Sequence, residues 1–129
     1  MATTKTKVLV VVEDDPDMRT LIRITLARDP RLEVVGEAAS AKEAIDLARS
    51  IEPGLIVLDH AIEGDMTGLE AAPLLKEVAP NSKILLFTAF DLAAEARAEP
   101  AIDAYLRKDE LNLLVPTVER LLDLAPITT

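Results

Sequence analysis

Apolar residues fall along the chain in two alternating patterns. Five short apolar-rich runs, Val8 to Val12, Leu32 to Ala38, Leu55 to Leu58, Ile84 to Phe87 and Ala104 to Leu106, have the length and residue types of strands. The segments between them carry helical spacing. Met18, Leu21, Ile22 and Leu26 share one helix face behind Asp15-Pro16, a cap followed by proline in the first turn. Ser40 with Glu43 has the spacing of a capping box ahead of Ala44, Ile45, Leu47, Ala48 and Ile51, and Thr67 with Glu70 repeats it ahead of Leu74, Leu75 and Val78. Pro73 is expected to kink that third helix or to shift its start. Asp91 is the expected cap of a short Ala-rich helix ending before Pro100, and a last helix is expected from about Asn112 to Leu124 with Pro116 near its first turn.

Strands alternating with helices predict right-handed βαβ units and a parallel sheet covered on both faces, which explains why the central strands are apolar throughout. The expected fold is α/β: a doubly wound five-stranded parallel sheet in the order 2-1-3-4-5. In such a sheet function collects beyond the carboxyl ends of the strands, near the switch point between strands 1 and 3. Strand 1 leads straight into Glu13, Asp14 and Asp15, strand 3 into Asp59, strand 4 into Thr88-Ala89, and strand 5 stops just before Lys108. Carboxylates converging there repel one another unless a cation neutralises them. Oxygen donors without Cys or His select a hard ion, and one or two carboxylates with water and phosphate oxygens suit Mg²⁺.

Composition narrows the function classes. The chain has 129 residues, half of them apolar, enough for one core, and a single domain over 1–129 with its core at about 6–124 is expected. A formal charge of -9 argues against direct nucleic-acid binding, which needs clustered Lys and Arg. The chain has no cysteine, so disulfides and thiolate sites are excluded, which is compatible with a reducing cytosol. The run Val8 to Val12 is too short for a signal peptide or membrane span, and a soluble cytoplasmic protein without membrane partners is expected.

These residues together resemble the receiver domains of bacterial two-component response regulators, of the flavodoxin-like fold. "VVVEDDPDMR" is similar to the family's strand-1 acidic pair, "LIVLD" to the strand carrying the phosphoacceptor, "ILLFTA" to the Thr-Ala switch and "AYLRK" to the aromatic-x-x-Lys of strand 5. The resemblance implies that Asp59 accepts a phosphoryl group from a sensor histidine kinase or phosphotransfer protein. It makes Asp14 a direct Mg²⁺ ligand, Glu13 a ligand acting more through water, and Asp59 and the backbone carbonyl of Ala61 the remaining ligands. Thr88 and Lys108 would bind phosphoryl oxygens, and Thr88 and Tyr105 would form the switch that reshapes the face of helix 4, strand 5 and helix 5 for a downstream protein. Such a module is phosphorylated on itself and is not a turnover enzyme. The family positions two residues after the phosphoacceptor and two after the Thr are Ala61 and Phe90; neither can orient a water, so slow autodephosphorylation is expected.

Departures from the family pattern are concentrated in two places. The loop "HAIEGDMTG" lacks the usual Met-Pro, with Gly68 displaced by one residue, and the stretch between Thr88 and Lys108 is short, predicting a truncated or irregular helix 4. Other carboxylates have simpler roles: Asp15 as a cap, and Asp17, Glu63 and Asp65 in solvent. His60, beside Asp59, is expected to be an exposed bystander. Two other function classes compete with the phosphoacceptor. One is a degenerate receiver acting as a phosphorylation-independent binding module. The other is a Mg²⁺-dependent phosphatase of the haloacid dehalogenase type, using the Asp-x-Asp of "DPDM". The output is expected to lie elsewhere, whether the chain is a stand-alone receiver or a piece of a longer regulator.

Overall fold

The computed structural model describes residues 5–11 and 15–127. Five strands, β1 (Thr6–Val11), β2 (Leu32–Ala38), β3 (Leu55–Leu58), β4 (Lys83–Thr88) and β5 (Ala104–Arg107), form one sheet in the order β2-β1-β3-β4-β5. Every pairing is parallel. The helices are α1 (Pro16–Leu26), α2 (Ala41–Ile51), α3 (Gly68–Val78), α4 (Ala93–Ala98) and α5 (Leu114–Leu121), with a 3₁₀ segment, Lys108–Leu113, between β5 and α5. This is the doubly wound order that the alternation of patterns predicts.

Alternate side chains of each strand enter opposite cores. Val8, Val10, Leu55, Val57, Leu85 and Phe87 pack with Ile22 and Leu26 of α1 and Leu114 and Val118 of α5. Leu9, Val11, Ile56, Leu58, Ile84 and Leu86 face the other way, onto Ala44 and Ala48 of α2, Ala71, Ala72 and Leu75 of α3 and Ala96 of α4. That second core has its bulk on the strands and small side chains on the helices, so the helix backbones can approach the sheet closely. The central strands are buried on both faces and offer every residue to packing, which is why they read as unbroken apolar runs.

Several local expectations need correction. Leu21 is exposed, and Thr25 takes the inward position between Ile22 and Leu26, its hydroxyl donating to the Leu21 carbonyl at 2.7 Å. Pro73 neither interrupts α3 nor delays its start: the reciprocal Thr67–Glu70 capping box sets the first turn, and the proline ring sits on the solvent side. Asp91 caps nothing, since α4 begins after Leu92 without a side-chain cap bond, and α4 is the short helix expected. The last helical stretch starts earlier than expected, as 3₁₀ turns at Lys108, and places Pro116 in the first turn of α5.

A buried ionic cluster ties the N-terminal half to the last helix, and the sequence reading passed over it. Asp29 is fully buried and its carboxylate accepts from Arg31 N at 2.9 Å, Nε at 3.0 Å and Nη2 at 2.9 Å. Arg31 Nη2 also donates to Glu119 Oε2 at 3.3 Å and to the Ala125 carbonyl at 2.6 Å. Hydrogen bonding from the Arg31 side chain, aided by its backbone N–H, holds the Asp29 carboxyl below the usual carboxylate range. A lowered carboxyl pKa contributes stability that is present above the ordinary value, about 4, and is lost as pH falls through the lowered one. Arg31→Met removes the larger, side-chain part of that contribution and leaves the buried carboxylates of Asp29 and Glu119 without their counter-charge, so the variant is expected to unfold at lower urea than wild type at pH 7. The gap should narrow at pH 3, below the ordinary carboxylate range, where an Asp29 carboxyl that has lost the Arg31 side chain is protonated. Urea midpoints that differ equally at the two pH values would show that Arg31 does not act through these carboxylates.

Candidate functional site

The parallel register brings the carboxyl ends of β1, β3, β4 and β5 to one edge, with Val11 paired to Leu58, Leu58 to Leu86 and Thr88 to Arg107. Asp59 is the residue after β3, and its N–H extends the ladder by donating to the Val11 carbonyl at 2.9 Å. That bond fixes the direction of the side chain. The carboxylate is only 3% exposed. Its Oδ2 lies 2.5 Å from Nζ of Lys108, the first residue after β5, and its Oδ1 accepts from the Ala61 N–H at 3.3 Å. A carboxylate this deep requires a counter-charge or strong donors, and Lys108 supplies the charge. Arg107 N donates to Glu110 Oε1 at 3.0 Å, which secures the turn from which Lys108 reaches back.

Thr88 ends β4 fully buried, and its Oγ1 accepts from the Phe90 N–H at 3.4 Å. Acting as acceptor there, the hydroxyl keeps its own proton for another partner. Tyr105, half-buried on β5, donates through its hydroxyl to the Phe90 carbonyl at 2.7 Å and accepts from Leu92 N at 3.0 Å. Asp59, Ala61, Thr88, Tyr105 and Lys108 therefore stand on neighbouring strand ends and the loops that follow them. Glu13 and Asp14 lie outside the described residues. They come two and three positions after Val11, the residue whose carbonyl holds Asp59.

The comparisons with known proteins agree with this fold. The family model for the response regulator receiver domain matches residues 9–118. The chain belongs to that family. It is 36% identical over 102 residues to the response regulator protein VraR of Staphylococcus aureus, an alignment covering 78% of this chain and 48% of that protein. It is 32% identical over 103 residues to the nitrate/nitrite response regulator protein NarL of Escherichia coli, covering 78% and 47%. The chain thus spans about half the length of the curated relatives it matches. Among solved structures, a two-component response regulator of the LuxR family from an Aurantimonas species superposes with a TM-score of 0.82 at 30% identity, covering 93% of this chain and 86% of that one. The signal receiver domain of the putative response regulator NarL from Mycobacterium tuberculosis gives 0.81 at 25% identity, covering 93% and 98%.

The receiver domain's donor set fits a hard cation: oxygen ligands only, with Asp59 Oδ1 engaged by a single long N–H contact and therefore able to take a further partner. Among the described residues no three acidic or histidine side chains gather into a metal site, so the fit depends on Glu13 and Asp14 joining Asp59. The Asp-x-Asp of "DPDM" is differently employed, since the Asp15 carboxylate caps α1 by accepting from Met18 N at 3.1 Å and Asp17 is an exposed first-turn residue. In the described residues, no helix is long and apolar enough to cross a membrane.

One residue of the loop after Asp59 differs from expectation. His60 is not exposed. Its ring meets the Phe90 ring edge to face, with centroids 5.7 Å apart, and its Nδ1 is buried without a hydrogen-bond partner among the described residues. Gly68, the displaced glycine, has a steric role: a Cβ there would lie 2.2 Å from the Asp59 carbonyl oxygen, and its N–H donates to the His60 carbonyl at 2.9 Å. The first turn of α3 therefore rests directly on the backbone of the carboxylate-bearing residue. Gly68→Ala is expected to destabilise the domain by roughly 2–3 kcal/mol in urea titration, because backbone rather than a flexible side chain blocks the added methyl. Wild-type stability in this variant would show that α3 can back away from Asp59 freely.

Proposed function

We propose that this receiver domain takes a phosphoryl group onto Asp59 from the phosphohistidine of a sensor histidine kinase or phosphotransfer protein, in the cytoplasm and with Mg²⁺. The observation that carries the reading is the 2.5 Å contact between Lys108 Nζ and the buried Asp59 carboxylate. A carboxylate is a weak nucleophile toward a phosphoryl group, and transfer requires charge neutralisation more than covalent assistance. A carboxylate oxygen forms the new bond to phosphorus as the P–N bond to the donor imidazole breaks, and the imidazole nitrogen keeps that electron pair. Lys108 then pairs with a phosphoryl oxygen. Glu13, Asp14, Asp59 and the Ala61 carbonyl would hold Mg²⁺, which when bound offsets charge on the phosphoryl oxygens.

Once Asp59 carries the extra charge, the free proton of the Thr88 hydroxyl has a new acceptor close at hand, and Tyr105 follows the loop to which its own hydroxyl is tied. The surface of α4, β5 and α5 is then the reading face for a downstream protein. The net charge of -9 gives no support to direct contact with nucleic acid. The reaction is a single modification of the protein rather than turnover of a substrate. The same fold could serve as a phosphorylation-independent binding module, but a buried carboxylate paired with an ammonium is a costly arrangement for mere packing.

Asp59→Asn is expected to fold, since the amide nearly matches the carboxylate in shape, and to take up no label from a phosphodonor that labels wild type. Label retained on the variant would place the acceptor elsewhere. Label absent from both proteins, with Mg²⁺ present, would favour the binding-module reading.

Lys108→Ala is expected to bind Mg²⁺ as well as wild type or slightly more tightly, because a competing positive charge is gone. Its labelling should slow by roughly tenfold or more. The label that does form should no longer shift the NMR signals of Tyr105. Equal shifts in both proteins would remove Lys108 from the relay.

A further inference from the structure

A cavity of about 600 Å³ lies among the end of α1, the helical stretch from Leu111 to Arg120 and the segment that follows α5. Its walls are mainly apolar, with Leu111, Val115, Pro116, Leu124, Pro126 and Ile127 in the lining. The wall formed by residues 124–127 is fastened by the buried ionic cluster: the Ala125 carbonyl accepts from Arg31 Nη2 at 2.6 Å, and the Ile127 N–H donates to Glu119 Oε2 at 3.3 Å. A formed apolar cavity of this size with a few polar groups in its lining is the kind of site that small ligands occupy.

The polar groups decide which ligand. Glu119 is buried in the lining and already has its counter-charge, since Arg31 Nη2 stands 3.3 Å from its carboxylate. The Thr25 hydroxyl is committed to the Leu21 carbonyl. Arg28 and Arg120 are the two other charged residues of the lining; both are exposed, and among the described residues neither guanidinium has a hydrogen-bond or ion-pair partner. The cavity therefore offers two uncommitted cations beside an apolar wall, on a chain whose net charge is -9.

We propose that this cavity binds a small amphiphile with one anionic head group, its apolar body against Val115, Leu124 and Ile127 and its head at Arg28 and Arg120. Guanidinium groups pair with the oxygens of a carboxylate or phosphate through charge-assisted hydrogen bonds, and the apolar body adds burial without demanding further partners. The site shares no residue with the group of Asp59, Ala61, Thr88, Tyr105 and Lys108, so it does not depend on the phosphoacceptor reading.

The test titrates the protein with octanoate, octan-1-ol and octylamine, three probes with the same chain and different head charge, and follows backbone amide NMR signals. Octanoate is expected to give saturable shifts at Arg28, Leu111, Val115 and Ile127, and to bind more tightly than octan-1-ol, with octylamine weakest. Arg28→Gln and Arg120→Gln, both at exposed positions that leave the fold intact, should each weaken octanoate by roughly three- to tenfold, as loss of a charge-assisted hydrogen bond does, and leave octan-1-ol unchanged. Val115→Trp should weaken all three probes by filling the cavity. Octanoate and octan-1-ol binding equally to wild type, or octanoate binding unaltered in both arginine variants, would show that no anionic head is read and would overturn the proposal. Shifts confined to other parts of the chain would overturn it too. So would sedimentation showing a dimer that Val115→Trp dissociates and octanoate does not, since the cavity would then be covered by a second copy of the chain.

Discussion

The ion pair between Asp59 and Lys108 is the constraint around which the rest of the structure is arranged. A carboxylate that is 3% exposed cannot be left without compensation, and its partner comes from the far side of β4, after β5. For the two to meet, β3, β4 and β5 must run parallel and end at one level. The registers of Leu58 with Leu86 and Thr88 with Arg107 meet that condition. The 3₁₀ turn beginning at Lys108 follows from the same requirement. The chain must turn as soon as β5 ends if the lysine stem is to reach back across the sheet edge.

The two faces of the sheet serve this edge differently. On one, Phe87, Leu106, Leu114 and Val118 form a bulky core with α1, and the Asp29–Arg31–Glu119 cluster fastens α5 to the turn before β2. That side is anchored by charge as well as by apolar contact. On the other, α2 and α3 present mainly alanine to the strands, and α3 approaches until Gly68 touches the Asp59 backbone. A first turn held by the Thr67–Glu70 box therefore supports the backbone of Asp59, the proposed phosphoacceptor. The short α4, without a side-chain cap, stands beside β5 and buries only Ala96.

Much of this was legible in the sequence because it was written in local signals. Strands buried on both faces must be apolar at successive positions, so β1, β3 and β4 could be located from composition alone, and the strand-end residues Asp59, Thr88 and Lys108 followed from their places in that pattern. Caps made by side chains three residues apart, at Ser40 and Thr67, were equally readable. Asp91 misled because a capping residue type does not guarantee a capping position, and the chain enters α4 one residue later. Leu21 misled because helical spacing shows which residues share a stripe, while packing against the sheet decides where the buried stripe ends, here at Ile22, Thr25 and Leu26. Arg31 with Glu119, and His60 with Phe90, are far apart in sequence and belong to no periodic pattern. Only the assembled fold brings them together.

If Asp59 takes a phosphoryl group as proposed, the consequence for signalling lies in how few bonds connect its carboxylate to Thr88 and Tyr105. Thr88 and Tyr105 are each joined to the peptide groups of Phe90, and among the described residues they meet through that residue. Charge arriving at Asp59 would draw the free proton of the Thr88 hydroxyl, whose oxygen holds the Phe90 N–H, and Tyr105 can leave its place only by releasing the Phe90 carbonyl and the Leu92 N–H. Two neutral hydrogen bonds are a modest restraint, about 1 kcal/mol net apiece, comparable with the 1–3 kcal/mol by which ligand-coupled sites usually influence each other. A switch held by much stronger contacts would not respond to one phosphoryl group, and one held by none would not distinguish the two states. The β4–α4 loop lies between those limits because it is tied to Tyr105 only through its backbone at Phe90 and Leu92, with the Phe90 side chain half in solvent and Leu92 packed against the core on the α2–α3 side.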